Sequence, residues 1–296
     1  MKMNDQYSKQ LSGYKEQIDR RLEGYLSGIT LPQEPLLEAM RYTLLNAGKR
    51  LRGIMTLEFC RVSGKPAALA LDLACGVEMM HAYSLIHDDL PVMDNDDYRR
   101  GKLSNHKVFG EWQALLAGDA LQTEAFNAVL RAKLPPESVV IAASVLGSAS
   151  GFEGMCGGQY LDIVNEDKTL SLDEVSTIHS LKTAALIMAA CVMGCAAAGS
   201  TEEQALAAAK YGASVGIAFQ IRDDVLDLEG IFEELGKLSG SDTKNGKSTF
   251  ATLLGTDRCE EIIQKETQTA KAAVDGVYAD TGFLHWLADK MAGRTK

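Results

Sequence analysis

Apolar residues recur at spacings of three and four positions over long windows of this chain, for example in residues 36–44, 69–80 and 115–129. This spacing is the period of an α-helix with one apolar face. The strict alternation of apolar and polar residues that is typical of strands is essentially absent. The pattern therefore predicts an all-α protein.

Helix breakers separate these windows and set the organisation of the chain. They fall at residues 64–66, 91, 135–136, 199–200 and 236–246. The breaks are short, which predicts roughly ten or more helices packed as antiparallel neighbours. No Gly/Ser-rich or Pro-rich linker divides the sequence. We therefore expect residues 1–296 to form a single domain, one large helical bundle.

Composition narrows the functional classes. The chain has 296 residues, of which 46% are hydrophobic, so it can bury an extensive core and is neither disordered nor fibrous. The net charge of −10 argues against general nucleic-acid binding and against attraction to anionic membrane surfaces. Any site for an anionic ligand must therefore be built from local clusters of basic residues.

The N-terminal residues and the cysteines predict a cytoplasmic protein. Residues 1–10 are polar and lack the apolar core of a signal peptide. The six cysteines contain no C-x-x-C pair and are predicted to be reduced thiols. Residues 183–199 carry no charge, but their Ala, Gly, Cys and Met content favours a helix buried in the bundle over a membrane span.

Two acidic clusters carry the strongest chemical signal. Their carboxylates belong to Asp88, Asp89, Asp94, Asp223, Asp224 and Asp227. Carboxylates packed this densely raise each other's pKa unless cations share the site. Ligands that are all oxygen favour Mg²⁺ over zinc or copper, and Mg²⁺ usually takes one or two carboxylates together with phosphate oxygens. The clusters therefore predict a Mg²⁺ site completed by a phosphorylated substrate.

The alternative for either cluster alone is a solvated helix face, since acidic pairs are common there. Each cluster, however, follows an apolar stretch and precedes cations, which is not typical of an exposed face. Pro91 predicts that the first helix ends at about Asp89 and that Asp94 lies on a loop. The spacing of Asp223 and Asp227 places both on one face of an unbroken helix. If the two acidic ends face each other, they line the mouth of one cavity.

Basic residues form four short clusters that are suited to binding two diphosphates. They are Lys49, Arg50 and Arg52; Arg99, Arg100 and Lys102; Lys182 after His179; and Lys237, Lys244 and Lys247. Arginine offers a planar fork to phosphate and lysine a mobile point charge. Each cluster by itself is weak evidence, because helix surfaces also carry such residues. We assign Arg50 to structure or surface.

His81 lies two helical turns before Asp88, on the same face of the predicted helix. It could donate a hydrogen bond to a phosphate. A lone histidine in an apolar helix is more often a core residue with its hydrogen bonds satisfied, so both roles remain open from the spacing.

Several motifs, in the same order along the chain, resemble those of the trans-isoprenyl diphosphate synthases and most closely the bacterial farnesyl diphosphate synthases. They are G-K-R-L-R (48–52), H-A-Y-S-L-I-H-D-D-L-P-V-M-D (81–94), R-R-G-K (99–102), H-K-V-F-G-E (106–111), G-D-A-L-Q-T (118–123), G-G-Q-Y-L-D (157–162), L-K-T (181–183), F-Q-I-R-D-D-V-L-D (219–227) and G-S-D-T-K-N-G-K-S-T (240–249).

The resemblance implies the isoprenoid synthase fold, with helices around a central cavity, usually as a homodimer. It implies three Mg²⁺ ions, with Mn²⁺ as a possible substitute. The first cluster, Asp88, Asp89 and Asp94, would hold metals at the allylic diphosphate, and the second cluster would hold the remaining ion from the opposite wall. The implied isopentenyl diphosphate site is Lys49, Arg52, His81 and Arg100. The implied partners of the allylic diphosphate are Arg99, Lys182, Lys237 and Lys247, with Thr183 and Gln220 nearby.

The implied reaction joins isopentenyl diphosphate head-to-tail to dimethylallyl or geranyl diphosphate, giving (2E,6E)-farnesyl diphosphate and diphosphate. Tyr83 and Ser84 lie one turn before the aspartates, where a growing apolar tail would pass. We expect the Tyr83 ring to act as the floor that stops the product at fifteen carbons.

Three alternatives remain. A geranylgeranyl diphosphate synthase would use the same machinery, and Tyr83 argues against it. A terpene cyclase would share the fold and first motif, but its second motif normally mixes Asn, Ser and Glu. A non-catalytic regulatory subunit or Ca²⁺-binding module is disfavoured because the chain keeps its aspartates and cations, and because Arg99 stands where a calcium loop requires glycine.

Some positions depart from the family pattern. Proline is common at the positions of Gly53, Leu103, Leu238 and Ala251; an acidic residue is common at that of Ile231 and glutamine at that of Arg222. Loss of proline adds chain freedom, so we expect weaker substrate binding or lower thermal stability than is typical.

Overall fold

The computed structural model describes residues 3–28, 32–46, 48–229 and 248–293, and it confirms the predicted all-α fold. The helices are α1 (Met3–Leu26), α2 (Glu34–Leu44), α3 (Leu51–Val62), α4 (Leu71–Asp88), α5 (Asn105–Phe109), α6 (Glu111–Leu130), α7 (Pro136–Ser150), α8 (Met155–Val164), α9 (Leu172–His179), α10 (Ala185–Ala198), α11 (Glu202–Glu229), α12 (Phe250–Leu254), α13 (Thr256–Val274) and α14 (Gly282–Ala292).

Short elements of other kinds connect some of these helices. A 3₁₀ turn (Ala67–Ala70) leads into α4, and a π-helical turn (Ser180–Ala184) joins α9 to α10. Strands β1 (Tyr98–Arg99) and β2 (Lys102–Leu103) pair antiparallel in a small hairpin. The hairpin follows α4 and carries the second basic cluster.

The core is built around α4, which packs against α1, α3 and α6. Most residues of α4 are buried, so it is apolar on nearly every face. Helix α10 is also almost entirely buried, which confirms the prediction of a buried helix within residues 183–199. Its Gly194 allows close packing, because a Cβ atom there would lie only 2.3 Å from the Thr56 carbonyl oxygen.

Within the part of the chain that the structure describes, three helical segments are long and apolar enough to cross a membrane if length and composition alone are considered. They are Ala67–Asp88, Pro136–Val164 and Leu172–Ala198. The most apolar windows of the first and third are 67% and 72% buried inside the fold, whereas that of the second is 33% buried. Burial in the bundle accounts for the apolar character of two segments, and the absence of a membrane span stays a prediction.

Arg50 has a structural role, as the sequence predicted. Its side chain is 5% exposed, with Nε donating to Asp19 Oδ1 at 2.7 Å and Nη2 to the Leu44 carbonyl oxygen at 2.6 Å. These bonds tie α1 and the end of α2 to the start of α3. That start is adjacent to the basic residues 49 and 52.

Two departures from the family pattern have structural partners. The Gly53 N–H donates to Glu78 Oε1 at 2.9 Å, a bond that proline could not make. Arg222 donates through Nε to the Ala292 carbonyl oxygen at 2.7 Å and through Nη2 to Glu260 Oε2 at 2.7 Å. Both residues therefore hold helices together here. Ile231 and Leu238 lie outside the described residues.

Candidate active site

Both acidic clusters line one cavity of about 450 Å³. Asp88 and Asp94 come from the end of α4 and the loop after it, and Asp223, Asp224 and Asp227 come from α11. The predicted single cavity with acidic groups from two helices is therefore confirmed. Its volume lies in the range of small-molecule binding sites.

The first acidic cluster forms at the end of α4, because Pro91 disfavours continuation of the helix. The helix ends at Asp88, and the loop folds back so that the Asp94 N–H donates to the Asp88 carbonyl oxygen at 2.9 Å. Asp89 differs from its neighbours, because its Oδ1 accepts from Arg99 Nε at 2.8 Å and it does not line the cavity. Two of the three carboxylates thus reach the cavity, while the third holds Arg99.

Asp224 connects α11 to α12. Its Oδ1 accepts from Gln220 Nε2 at 3.2 Å, and its Oδ2 accepts from the Phe250 N–H at 3.1 Å. His179 Nε2 lies 3.7 Å from the same Oδ2. This carboxylate therefore fixes the start of α12 against the acidic helix.

Burial disfavours the charged form of the two carboxylates at the end of α4. Burial raises the pKa of Asp88 to about 6, with Lys182 acting in the opposite direction and Asp94 raising it further. Burial likewise raises the pKa of Asp89 to about 6, against the effect of Arg99. A bound cation would relieve both effects, so the all-oxygen donor set fits Mg²⁺.

Among the described residues, no group of three His, Cys, Asp or Glu side chains is close enough to enclose an ion by itself. That fits Mg²⁺ as well, because this ion is usually held by one or two carboxylates with phosphate oxygens and water completing the shell.

The predicted isopentenyl diphosphate residues share the cavity. Lys49, Arg52, His81 and Arg100 all line it. Burial lowers the pKa of Arg52 to about 10, so the guanidinium remains charged near pH 7. Burial, followed by the nearby arginines, lowers the pKa of His81 well below its ordinary value. His81 therefore lines the cavity as a neutral imidazole that can donate one N–H, and its contact with a phosphate stays a prediction.

Lys182 and Thr183 are placed by the π-helical turn. Burial by itself would lower the pKa of Lys182, but the carboxylates of Asp162, Asp88 and Asp94 raise it above its ordinary value. Lys182 Nζ lies 2.6 Å from Asp162 Oδ2, and Thr183 Oγ1 donates to Gln220 Oε1 at 2.8 Å. Lys182, Thr183, Gln220 and Arg99 line the same cavity. Lys237, Lys244 and Lys247 lie outside the described residues.

Gly158 lets α8 approach this turn. A Cβ atom on Gly158 would lie 2.3 Å from the Lys182 backbone nitrogen and 2.7 Å from its Cα atom. Both are backbone atoms, so one segment would have to move. The close contact brings α8 and its side chains next to Lys182.

We expect Gly158→Ala to lower the free energy of unfolding by about 1–3 kcal/mol through overpacking. Because α8 must shift away from Lys182, kcat/KM should fall as well. Urea denaturation and steady-state kinetics measure the two effects. The control is Gly24→Ala in α1, where nothing lies within 4 Å of the added Cβ and stability should rise by about 0.5–1 kcal/mol. Wild-type stability in Gly158→Ala would contradict the close contact.

The two predicted chain-length residues are placed differently. Ser84 lines the cavity, but Tyr83 is 4% exposed and packs outside the lining. The Tyr83 hydroxyl lies 3.3 Å from Cys156 Sγ, and its ring meets His87 edge-on at 5.6 Å. Tyr83 is therefore buried outside the cavity lining, and its partner Cys156 is next in sequence to the lining residue Met155.

Four features of the site were not predicted from the sequence. Asp162 pairs with Lys182, Gln159 lines the cavity, His179 lies beside Asp224, and the Phe250 N–H holds Asp224. A signal existed for the first two, because both belong to the G-G-Q-Y-L-D motif. The backbone contact of Phe250 leaves no trace in the sequence.

Three kinds of comparison with known proteins give concordant results. The polyprenyl synthetase family model matches residues 33–280. The chain is 39% identical to the farnesyl diphosphate synthase of Bacillus subtilis (strain 168), with 99% of both chains covered. It is 44% identical to geranylgeranyl pyrophosphate synthase 3, chloroplastic, of Arabidopsis thaliana, covering 82% of this chain and 70% of that one. A crystal structure of geranyltransferase from Legionella pneumophila aligns with a TM-score of 0.89 at 34% identity, covering 99% and 98% of the two chains.

Proposed function

The chain belongs to the polyprenyl synthetase family, and from this premise we propose that it is a Mg²⁺-dependent prenyltransferase. It condenses isopentenyl diphosphate head-to-tail with dimethylallyl and then geranyl diphosphate, giving (2E,6E)-farnesyl diphosphate. One observation carries this proposal: a single cavity is lined by residues of both acidic clusters and by a separate set of basic side chains.

The isopentenyl diphosphate binds at Lys49, Arg52, His81 and Arg100. Arg52 stays charged although it is buried, so its interaction with a diphosphate is little screened by water. His81 is neutral and donates one N–H without adding charge. Together these groups orient the nucleophilic substrate by its diphosphate.

The allylic diphosphate binds between the acidic clusters, beside Lys182 and Arg99. Asp88 and Asp94 on one side, and Asp223, Asp224 and Asp227 on the other, would hold three Mg²⁺ ions, with Asp89 acting through Arg99. When bound, Mg²⁺ stabilises the negative charge that develops on the departing diphosphate. Lys182, kept protonated by Asp162, adds a fixed positive charge to the same leaving group.

Breaking the allylic C–O bond leaves a carbocation on the substrate, which the double bond of isopentenyl diphosphate attacks. Loss of a proton to the released diphosphate completes the reaction. The apolar side chains that line the cavity exclude water, which would otherwise capture the cation as an alcohol. Leu85, Met155, Val175, Ile178 and Phe219 supply this surface.

We propose that the enzyme is a cytoplasmic homodimer. Large apolar side chains are exposed on α6, on α7 and on α8 with the turn before it, among them Trp112 at 66%, Val140 at 66%, Phe152 at 84% and Tyr160 at 68%. Exposed apolar surface of this extent supports an interface between two copies of the chain.

Incubation of the purified protein with isopentenyl diphosphate, each allylic starter and Mg²⁺ tests the function. Mass spectrometry should identify a fifteen-carbon diphosphate, and a chelator should abolish its formation. Formation of a cyclic terpene, or no condensation with any starter, would contradict the proposal. A twenty-carbon product would instead support the second candidate function, that of a geranylgeranyl diphosphate synthase. The 44% identity to the Arabidopsis geranylgeranyl pyrophosphate synthase favours this candidate.

A further inference from the structure

Gln159 is a buried polar residue that the reaction scheme above does not use. It is 7% exposed and lines the cavity. Neither Oε1 nor Nε2 of its carboxamide has a hydrogen-bond partner within the described residues. Buried amides in proteins are almost always hydrogen-bonded, so an unpartnered one at a cavity wall requires an explanation.

The position of Gln159 points to the allylic end of the cavity. It lies on α8, three residues before Asp162, whose carboxylate holds Lys182 Nζ at 2.6 Å. Residues three apart on a helix lie on the same face. Because Gly158 has no side chain, this part of α8 packs directly against the backbone of Lys182. Gln159 therefore shares a wall with the lysine that faces the leaving group.

Gln220, which also lines the cavity, has a side-chain amide with protein hydrogen-bond partners. Gln220 accepts through Oε1 from Thr183 at 2.8 Å and donates through Nε2 to Asp224 at 3.2 Å. Its role is thus fulfilled by protein partners. Gln159 lines the same cavity and has no such protein partner among the described residues, so a bound molecule is the candidate partner of its carboxamide.

We propose that Gln159 is a substrate-contacting residue, with its Nε2–H donating to an oxygen of the allylic diphosphate beside Lys182. This inference rests on the proposed prenyltransferase function. A diphosphate only accepts hydrogen bonds and gains negative charge on the oxygen released by C–O cleavage. The Gln159 hydrogen bond consequently strengthens toward the transition state and raises kcat as well as affinity.

Gln159→Leu tests the contact, because leucine matches glutamine in size but cannot donate. We expect kcat/KM for the allylic substrate to fall about 10- to 100-fold, the loss typical of a hydrogen bond to a charged group. KM for isopentenyl diphosphate should stay within about 2-fold, since that diphosphate binds elsewhere. The melting temperature should be unchanged or higher, because a buried unpaired amide is removed. Calorimetry should show weaker binding of inorganic diphosphate with Mg²⁺.

Gln159→Glu keeps the shape of the side chain but replaces the N–H donor by a carboxylate oxygen. Its kcat/KM for the allylic substrate should therefore fall further than that of Gln159→Leu. The matched control is Gln113→Leu on α6, where Oε1 is also buried without a hydrogen-bond partner but lies outside the cavity. That variant should keep wild-type kinetics.

Two results would overturn the inference. One is an allylic kcat/KM for Gln159→Leu within about 3-fold of wild type; the other is a drop in melting temperature with equal losses for both substrates, which indicates a packing role. A wild-type protein without condensation activity overturns the proposed function instead, and the diphosphate titration still reports on the contact.

Discussion

Asp88→Asn is expected to lower kcat/KM for condensation by about 10³-fold. The carboxylate ends α4 and lines the cavity, where burial raises its pKa although Lys182 acts in the opposite direction. Asparagine keeps the shape and one carbonyl oxygen but removes the negative charge that would hold Mg²⁺. Loss of transition-state charge stabilisation of this kind costs roughly 4 kcal/mol, which corresponds to that factor.

Steady-state kinetics over a range of Mg²⁺ concentrations measure the effect, and the Mg²⁺ concentration for half-maximal rate should rise. The fold should persist, because a neutral side chain removes repulsion from Asp94. Asp89→Asn is the matched control, because Asp89 accepts a hydrogen bond from Arg99 and does not line the cavity. Its kcat/KM should fall roughly 10- to 100-fold, mainly through a higher KM. Activity of Asp88→Asn within 10-fold of wild type would exclude Asp88 as a principal metal ligand.

Tyr83→Ala is expected to change the main product from fifteen to twenty carbons. The ring is buried outside the cavity lining, and it contacts Cys156 and His87. Its removal opens space one turn before Asp88, next to the lining residue Ser84. An added five-carbon unit that enters this space gains roughly 4 kcal/mol, at about 0.8 kcal/mol per buried carbon. Chromatography of the dephosphorylated products, with mass spectrometry, measures the change.

Tyr83→Phe is the control for this substitution. It keeps the ring and removes only the contact between the hydroxyl and Cys156 Sγ, so the product should remain at fifteen carbons. Should Tyr83→Ala fold poorly because of the cavity it creates, Tyr83→Val gives the same readout with a smaller void. Unchanged fifteen-carbon products from both Tyr83→Ala and Tyr83→Val would refute the hypothesis that the Tyr83 ring limits chain length.

The acidic clusters show which structural features the sequence pattern could predict and which it could not. Pro91 correctly predicted where α4 ends, and the spacing of Asp223 and Asp227 correctly predicted an unbroken helix. These are local properties, fixed by backbone geometry within one or two turns. The pattern could not separate Asp88 from Asp89, because adjacent residues at a helix end point in directions set by packing. Only the contact with Arg99 distinguishes them.

The sequence by itself determined the helical class, the bounds of the acidic clusters and, through motif resemblance, the family. Each of these depends on neighbours in the chain or on the order of motifs. The tertiary structure alone decided that His81 faces the cavity as a neutral donor, that the π-helical turn places Lys182 beside Asp162, and that Gln159 is buried without a partner. These facts arise between helices far apart in sequence, where burial and close packing, as at Gly158, set the hydrogen bonds and charge states.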